Sequence, residues 1–303
     1  MTRRVVVEAR AKLNLGLAVG PRRRDGYHEL ATSYQSISLS DTLIAVRARR
    51  GFTLRMQCAR GTRSLQAVPR GADNLVLRAA RLFAKQTGLE GGASFTLIKR
   101  IPARAGLGGG SADAAATILA LERLYGLALG AEARLDLAGR LGADVPFAIR
   151  GGTALGLGRG EQLTQLSLAR PFRAMIAVPT WGISTARAFA QIDRKKFGLT
   201  VWKAKLRFAG RLALGPVEPE QALGLGNTFE LALGARTVDF QSLCARLRAA
   251  GLGSPTMTGS GSAVFGILAP GFPVARFARR FKGAEELFVV RSMRTGWHLA
   301  ISD

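Results

Sequence analysis

The chain has 303 residues, 48% hydrophobic and 21% charged, with a net charge of +24; that length suits two domains and that apolar fraction supplies a core. No run of eighteen apolar residues occurs, which excludes a membrane-spanning helix, and Cys58 and Cys244 sit in no CxxC or histidine-rich spacing, which argues against a zinc site or a disulfide framework. The basic residues are spread over 22–24, 47–50, 195–205 and 276–280 with no RNA-binding aromatic signature, zinc finger or basic zipper, so the charge reads as a field that attracts anions and not as a specific nucleic-acid interface.

The first residues, Met-Thr-Arg-Arg-Val-Val-Val-Glu, carry no long apolar region, so no secretory signal is read, and the two thiols fit a reducing cytoplasm. Residues 4–10 form a first strand that 11–17 continue. Gly20-Pro-Arg-Arg-Arg-Asp-Gly26 is a polar turn cluster. Residues 30–39 and 42–47 read as strands with a turn at Ser40-Asp41, and 52–56 as another strand. Helical spacing over 74–86 (Leu75, Leu77, Ala80, Leu82, Phe83) ends at Gly88. A strand at 93–99 leads into the glycine-rich segment 102–111. Helices follow at 112–125, stopped by Gly126, and at 131–141, ended by Gly142. Residues 154–157 read as a strand. The chain changes character over 161–169 and a new strand starts at 172–179, which places two domains at 1–165 and 166–303. Beyond it 184–192, 221–233, 238–250, 256–268, 273–281 and 286–291 alternate strands and helices, without a fixed-period repeat.

The segment between strand and helix carries Gly106, Gly108, Gly109 and Gly110. Glycine removes the side-chain barrier, so backbone N–H groups can crowd around an anion. The following helix adds free N–H groups and its positive dipole end. A triphosphate suits such a loop. It is not a P-loop, since no lysine follows Gly110, and not a dinucleotide fingerprint, since the third glycine would fall at Ser111. Ser111 can cap the helix or touch a phosphate or Mg²⁺. Read alone, Asp144 before Val145-Pro146 is a cap or turn former. Read alone, Lys12 in Ala-Lys-Leu-Asn-Leu is an edge position with a solvated ammonium. His28 and His298 are the two histidines, and His298 reads as an ordinary one.

Pro102-Ala-Arg-Ala-Gly-Leu-Gly-Gly-Gly-Ser-Ala-Asp-Ala-Ala115 resembles the P-x-x-x-G-L-G-S/G-S/G-S-A-A motif of the GHMP kinases, the superfamily of galactokinase, homoserine kinase, mevalonate kinase and phosphomevalonate kinase. Further segments are similar, in chain order, to one branch of that superfamily, which phosphorylates a cytidine diphosphate-linked methylerythritol in the non-mevalonate isoprenoid pathway. They are Ala11-Lys-Leu-Asn-Leu-Gly-Leu17, Asp25-Gly-Tyr-His-Glu-Leu30, Leu141-Gly-Ala-Asp-Val-Pro-Phe147, Asn227-Thr-Phe-Glu230 and Thr258-Gly-Ser-Gly-Ser-Ala263.

The resemblance implies an α+β fold with a ribosomal protein S5 domain 2-like N-domain, a ferredoxin-like C-domain and the active site between them. It implies ATP with Mg²⁺ as donor and a small-molecule acceptor phosphorylated on its 2-hydroxyl. Asp144 would be the general base and Lys12 the positive charge beside it. Pro102, Ala103, Arg104, Ala105, Gly106, Leu107, Gly108, Gly109, Gly110, Ser111 and Ala112 would hold the nucleotide. Asn14, Tyr27, His28, Thr185, Gly259, Ser260 and Gly261 would meet the acceptor, with Tyr27 stacking on the base and His28 bonding its edge. No metal ligand is singled out. Neither a membrane nor a specific nucleic-acid partner is expected, and the chain would act as a monomer or homodimer. Three positions depart from the pattern: Arg104 where a small residue is usual, Ala112 for a second serine, and Thr228 for an aspartate. The alternatives are a GHMP kinase for another alcohol, of homoserine or mevalonate type, or a basic nucleic-acid-binding protein on a relic kinase scaffold.

Overall fold

The computed structural model describes residues 2–59, 68–195 and 198–302; residues 196 and 197 of the basic run at 195–205 lie outside them. The strands are β1 (Arg4–Arg22), β2 (His28–Ala48), β3 (Phe52–Cys58), β4 (Gly92–Lys99), β5 (Thr153–Leu157), β6 (Gln162–Leu166), β7 (Arg173–Val178), β8 (Thr256–Met257), β9 (Val264–Leu268), β10 (Glu286–Arg291) and β11 (Trp297–Ser302). The helices are α1 (Leu75–Thr87), α2 (Gly109–Tyr125), α3 (Ala131–Leu141), α4 (Val145–Arg150), α5 (Thr185–Lys195), α6 (Leu199–Leu212), α7 (Pro219–Ala222), α8 (Thr237–Ala250) and α9 (Val274–Arg280).

One sheet runs β11-β1-β2-β4-β3, with β5 on β2 and β6 on β5. The other runs β10-β7-β9-β8. Numbered within itself, that second sheet is 4-1-3-2 with helices after its first and third strands, the ferredoxin-like order. The boundary expected at 165/166 is crossed back by β11, which pairs antiparallel with β1.

β1 shows why the two sheets join where they do. Its first half alternates buried and open positions, with Val5, Val7 and Ala9 inward; such a strand has one solvated face. From Ala11 to Val19 every residue is buried. There the second sheet covers the other face, and Leu13, Leu15 and Ile37 pack with Ala174, Ile176 and Phe265. The charged and polar members of this stretch, Lys12 and Asn14, are therefore buried too, and Lys12 is no edge residue: β2 pairs with it on one side, and on the other its N–H donates to Leu107 O of the glycine segment.

The expected turn at Ser40-Asp41 is absent, because β2 runs through it. Asp41 is fully buried and accepts hydrogen bonds from the backbone N–H groups of Arg100 and Ile101 at 2.6 and 2.8 Å. Its carboxylate ties β2 to the start of the glycine segment, a role that local composition does not separate from turn formation. Helix α2 begins at Gly109, not at 112, because Gly108 takes a left-handed conformation at the N-cap (φ 72°). Ser111 is thus the third residue of the helix and not its cap. The Ala-rich α2 is buried almost all round, as a helix apolar on every face must be. The segment 221–233, read as one member of the strand–helix alternation, is instead the end of α7 and short 3₁₀ turns, and neither α6 nor β11 was legible from pattern.

Candidate active site

Two cavities flank the glycine segment. One, of about 580 Å³, is lined by Lys12, Asn14, Arg104, Gly106, Gly108, Asp144, Thr185, Gly259, Ser260 and Gly261, all singled out from sequence, and by Tyr34, Phe189 and Phe229, which were not. The other, of about 360 Å³, is lined by residues 102–111 together with Asp73, Asn74, Lys99 and Asp113. Arg104, Gly106 and Gly108 line both, so the loop is the wall they share.

The glycine segment is held by backbone on both sides. Lys12 N–H donates to Leu107 O at 3.0 Å, and Ala263 N–H to Ala105 O at 3.1 Å. Gly106 (φ 79°) leaves no room for a side chain: a Cβ there would lie 2.2 Å from Thr258 O. A Cβ on Gly259 would lie 2.9 Å from Gly106 O. The two glycine motifs therefore meet main chain to main chain, which only glycine permits. Beyond them the first N–H groups of α2, from Gly109 to Ser111, have no partner inside the helix, and these residues line the cavity of about 360 Å³. A phosphate fits this cradle. Arg104 carries a positive φ of 56° and is exposed on the loop. Ala112 is buried behind it and lines neither cavity.

Lys12 and Asn14 sit between two register shifts in the β1–β2 pairing; such irregularities re-aim side chains. Lys12 Nζ lies 3.4 Å from Asp144 Oδ2 and donates to Asn14 Oδ1. Asn14 donates from its backbone N–H to Thr258 Oγ1 at 2.8 Å and from Nδ2 to Thr32 Oγ1 at 2.7 Å. Asp144 stands at the N-cap position of α4 but its side chain makes no cap bond. Its Oδ1 accepts instead from the Tyr34 phenol at 2.9 Å. Tyr34 stacks on Phe147 at 4.6 Å. Burial, then the charge of Asp144, pushes its phenol well above the usual value.

One face of α5 reaches across to the hairpin end of β1 and β2. Thr185, Phe189 and Asp193 recur every fourth residue, so they lie along one helix face. Thr185 Oγ1 is 2.8 Å from Ser260 Oγ. Phe189 stacks on His28 with centroids 5.0 Å apart and meets Phe229 edge-on at 5.0 Å. Asp193 Oδ1 is 2.8 Å from His28 Nε2. His28 is buried and lines neither large cavity; it borders a smaller one of about 170 Å³. Tyr27 is 56% exposed, with the Arg159 guanidinium 5.1 Å from its ring. The structure thus brings Lys12, Asn14, Asp144, Thr185 and residues 259–261 together, and leaves Tyr27 and His28 at the margin.

Asn227 and Glu230 hold the second glycine motif from behind. Asn227 Nδ2 donates to Met257 O and Gly259 O at 2.8 and 2.9 Å, and Glu230 Oε1 accepts from Met257 N–H and Thr256 Oγ1, both at 2.6 Å. Thr228, the departure within this segment, accepts from Val19 N–H at 3.0 Å. At the wall of the cavity of about 360 Å³, Lys99 bridges Asp41 and Asp113. Burial raises the Asp113 carboxyl to about 8. Burial draws the Lys99 ammonium down, but the two carboxylates outweigh it and raise it. Sequence reasoning missed this trio; charged residues inside apolar runs are the signal that could have found it, and no such signal marks Tyr34.

Among the described residues no group of three or more His, Cys, Asp or Glu could hold a metal ion, and no helix is long and apolar enough to cross a membrane. Both cysteines are free.

The family described as GHMP kinases N terminal domain matches residues 74–152. A 4-diphosphocytidyl-2-C-methyl-D-erythritol kinase from Pelotomaculum thermopropionicum is 37% identical over 286 residues, 93% of this chain and 95% of that protein. One from Leifsonia xyli subsp. xyli is 44% identical over 192 residues, 63% of this chain, and the match spans only 62% of that protein's length. A crystal structure of 4-(cytidine 5'-diphospho)-2C-methyl-D-erythritol kinase superposes with a TM-score of 0.75 at 34% identity, over 95% of this chain and 98% of that one. The α+β, two-domain fold class expected from the motifs is borne out.

Proposed function

The chain belongs to the 4-diphosphocytidyl-2-C-methyl-D-erythritol kinase family of the GHMP kinases, and from that premise we propose that it transfers the γ-phosphate of ATP to the 2-hydroxyl of 4-diphosphocytidyl-2-C-methyl-D-erythritol. The observation that carries this reading is the meeting of Lys12 and Asp144, 3.4 Å apart, in the cavity that shares its wall with the glycine loop.

Phosphoryl transfer to an alcohol needs still phosphates, neutralised charge and a hydroxyl relieved of its proton. The glycine loop and the first N–H groups of α2 hold the triphosphate. Mg²⁺ bound with ATP supplies charge neutralisation. The donor set fits a metal carried by the nucleotide, since among the described residues no group of three or more His, Cys, Asp or Glu stands together; Ser111, which lines the cavity of about 360 Å³, is one side-chain oxygen within it. Asp144 takes the hydroxyl proton as the new O–P bond forms and the β–γ bridging bond breaks. Lys12, 3.4 Å from Asp144 Oδ2, meets charge that develops on the transferred group.

The acceptor's base is assigned to the hairpin end. Tyr27 stacks, His28 bonds the base edge, and Phe189 adds an apolar face; the stack of His28 on Phe189 supports this grouping. Thr185, Ser260 and the backbone of Gly259 and Gly261 lie where the acceptor diphosphate would run. The nucleic-acid reading is not carried forward, because the relative and the solved structure that match over more than nine-tenths of the chain are named as kinases.

The test is ATP consumption by the purified chain against a panel of alcohols: the cytidyl acceptor, homoserine and mevalonate. ADP release and a phosphorylated product with the cytidyl acceptor alone is the expected result. Turnover of homoserine or mevalonate, with no effect of cytidine nucleotides, would replace the proposed acceptor by another alcohol.

A further inference from the structure

The phenol of Tyr34 has no part in the chemistry above, yet it touches the residue assigned as base. Tyr34 is 1% exposed and donates to Asp144 Oδ1 at 2.9 Å. Lys12 approaches the other oxygen, Oδ2, at 3.4 Å. Each carboxylate oxygen therefore has its own partner, and the two partners differ in kind. Lys12 is a flexible cation also tied to Asn14. Tyr34 is a neutral donor on a ring with nowhere to go.

The ring is confined on both faces and at its tip. Phe147 stacks on one side at 19°. On β5, a Cβ at Gly156 would lie 2.6 Å from Tyr34 Cε2; past the β5–β6 turn, a Cβ at Gly160 would lie 2.4 Å from the phenol oxygen. Both glycines leave open the space that the phenol fills. Burial and the neighbouring carboxylate keep the phenol protonated, so it donates at any pH at which the enzyme works.

We propose that Tyr34 is a positioning residue for phosphoryl transfer: its O–H holds Oδ1 of Asp144, which turns Oδ2, the oxygen beside Lys12, toward the acceptor hydroxyl, and Gly156 and Gly160 form the slot that keeps the ring in register. This rests on Asp144 being the base. The proton moves from the acceptor hydroxyl to Asp144 Oδ2 while Tyr34 keeps its own. A carboxylate with its second oxygen unheld can rotate about χ2, and a misplacement of about 1 Å at a reacting centre costs on the order of 10²-fold in rate.

The test is Tyr34→Phe, which keeps the ring, its stack on Phe147 and nearly all of its volume. The expected result is a kcat lowered about ten- to a hundredfold with KM for both substrates within about twofold. A purely packing role produces no such split. Asp144→Asn is measured beside it. If Asp144→Asn keeps normal turnover, the base reading fails and takes this proposal with it. If Asp144→Asn is inactive while Tyr34→Phe matches the parent in kcat, the proposal alone is overturned.

Discussion

Lys12 and Asp144 come from opposite ends of the first domain's sequence and end 3.4 Å apart with side-chain exposures of 9% and 32%. Neither residue is placed by its own neighbours in sequence: Lys12 is buried because a second sheet covers β1, and Asp144 opens α4 without capping it. Asp144→Asn keeps the size of the side chain and removes its basicity. General-base catalysis contributes about 10²- to 10⁴-fold, and kcat is expected to fall by that much with an unchanged circular dichroism spectrum and unchanged ATP affinity. Single-turnover kinetics give the direct measure.

The contact between the two glycine motifs makes a second expectation. Gly106→Ala sets a methyl 2.2 Å from Thr258 O, at a φ of +79°. The obstacle is backbone, which cannot swing aside as a side-chain tip does. Left-handed strain alone costs about 1–3 kcal/mol, and the loop must also shift. The variant is expected to melt several degrees lower and to bind ATP more weakly. Calorimetry of nucleotide binding separates the two effects, and an unchanged ATP affinity would mean that the loop's exact path does not matter to the donor.

Much of this site was legible before the fold. Composition marked the glycine segment alone; Lys12, Asn14, Asp144 and the second glycine motif were singled out by the resemblance to the GHMP kinases, and the structure sets all of them around one cavity. Tyr34 was not legible, since an aromatic in a strand looks like any core residue. Its importance comes from β5 and α4, which sequence does not place beside it. Asp41 was misjudged as a turn for the same reason: its partners, Lys99 and the N–H groups of Arg100 and Ile101, lie far along the chain. The α5 face was half legible. Thr185 was named, but Phe189 and Asp193 join it only once the helix sets their fourfold spacing.

That face carries the third expectation. Among the described contacts, Asp193 is the hydrogen-bond partner of His28 Nε2. An ionised carboxylate only accepts, so Nε2 donates to it and, in the tautomer this selects, Nδ1 is the ring's acceptor. Such an acceptor matches an exocyclic amine and not a carbonyl. Asp193→Ala is expected to raise KM for the cytidyl acceptor about tenfold, the equivalent of one hydrogen bond of about 1.4 kcal/mol, and to leave KM for ATP unchanged. Initial-rate measurements with each substrate varied in turn decide it; equal rises in both would mean that α5 has moved as a whole.

The Lys99 trio makes the last expectation, on stability and not on rate. Asp113 is 3% exposed, and its Oδ1 is buried without a hydrogen-bond partner. Burial holds its carboxyl at about 8, against 3.8 for an exposed group. The folded state thus keeps a proton that the unfolded chain releases, and the unfolded state binds fewer protons across that interval. By linkage, stability from this group is full below about pH 3.8 and is lost as pH rises through about 8. Asp113→Asn replaces the neutral acid by a neutral amide of the same shape that cannot ionise. Its unfolding free energy, measured by denaturant titration relative to the parent, is expected to improve steadily from pH 5 to pH 8, by at least about 1 kcal/mol, and to level off above that. The absolute difference at any one pH depends on how the amide meets Lys99, but the slope depends only on the proton. A difference that stays flat across that range would mean that Asp113 is ionised in the folded protein and that Lys99 neutralises it outright.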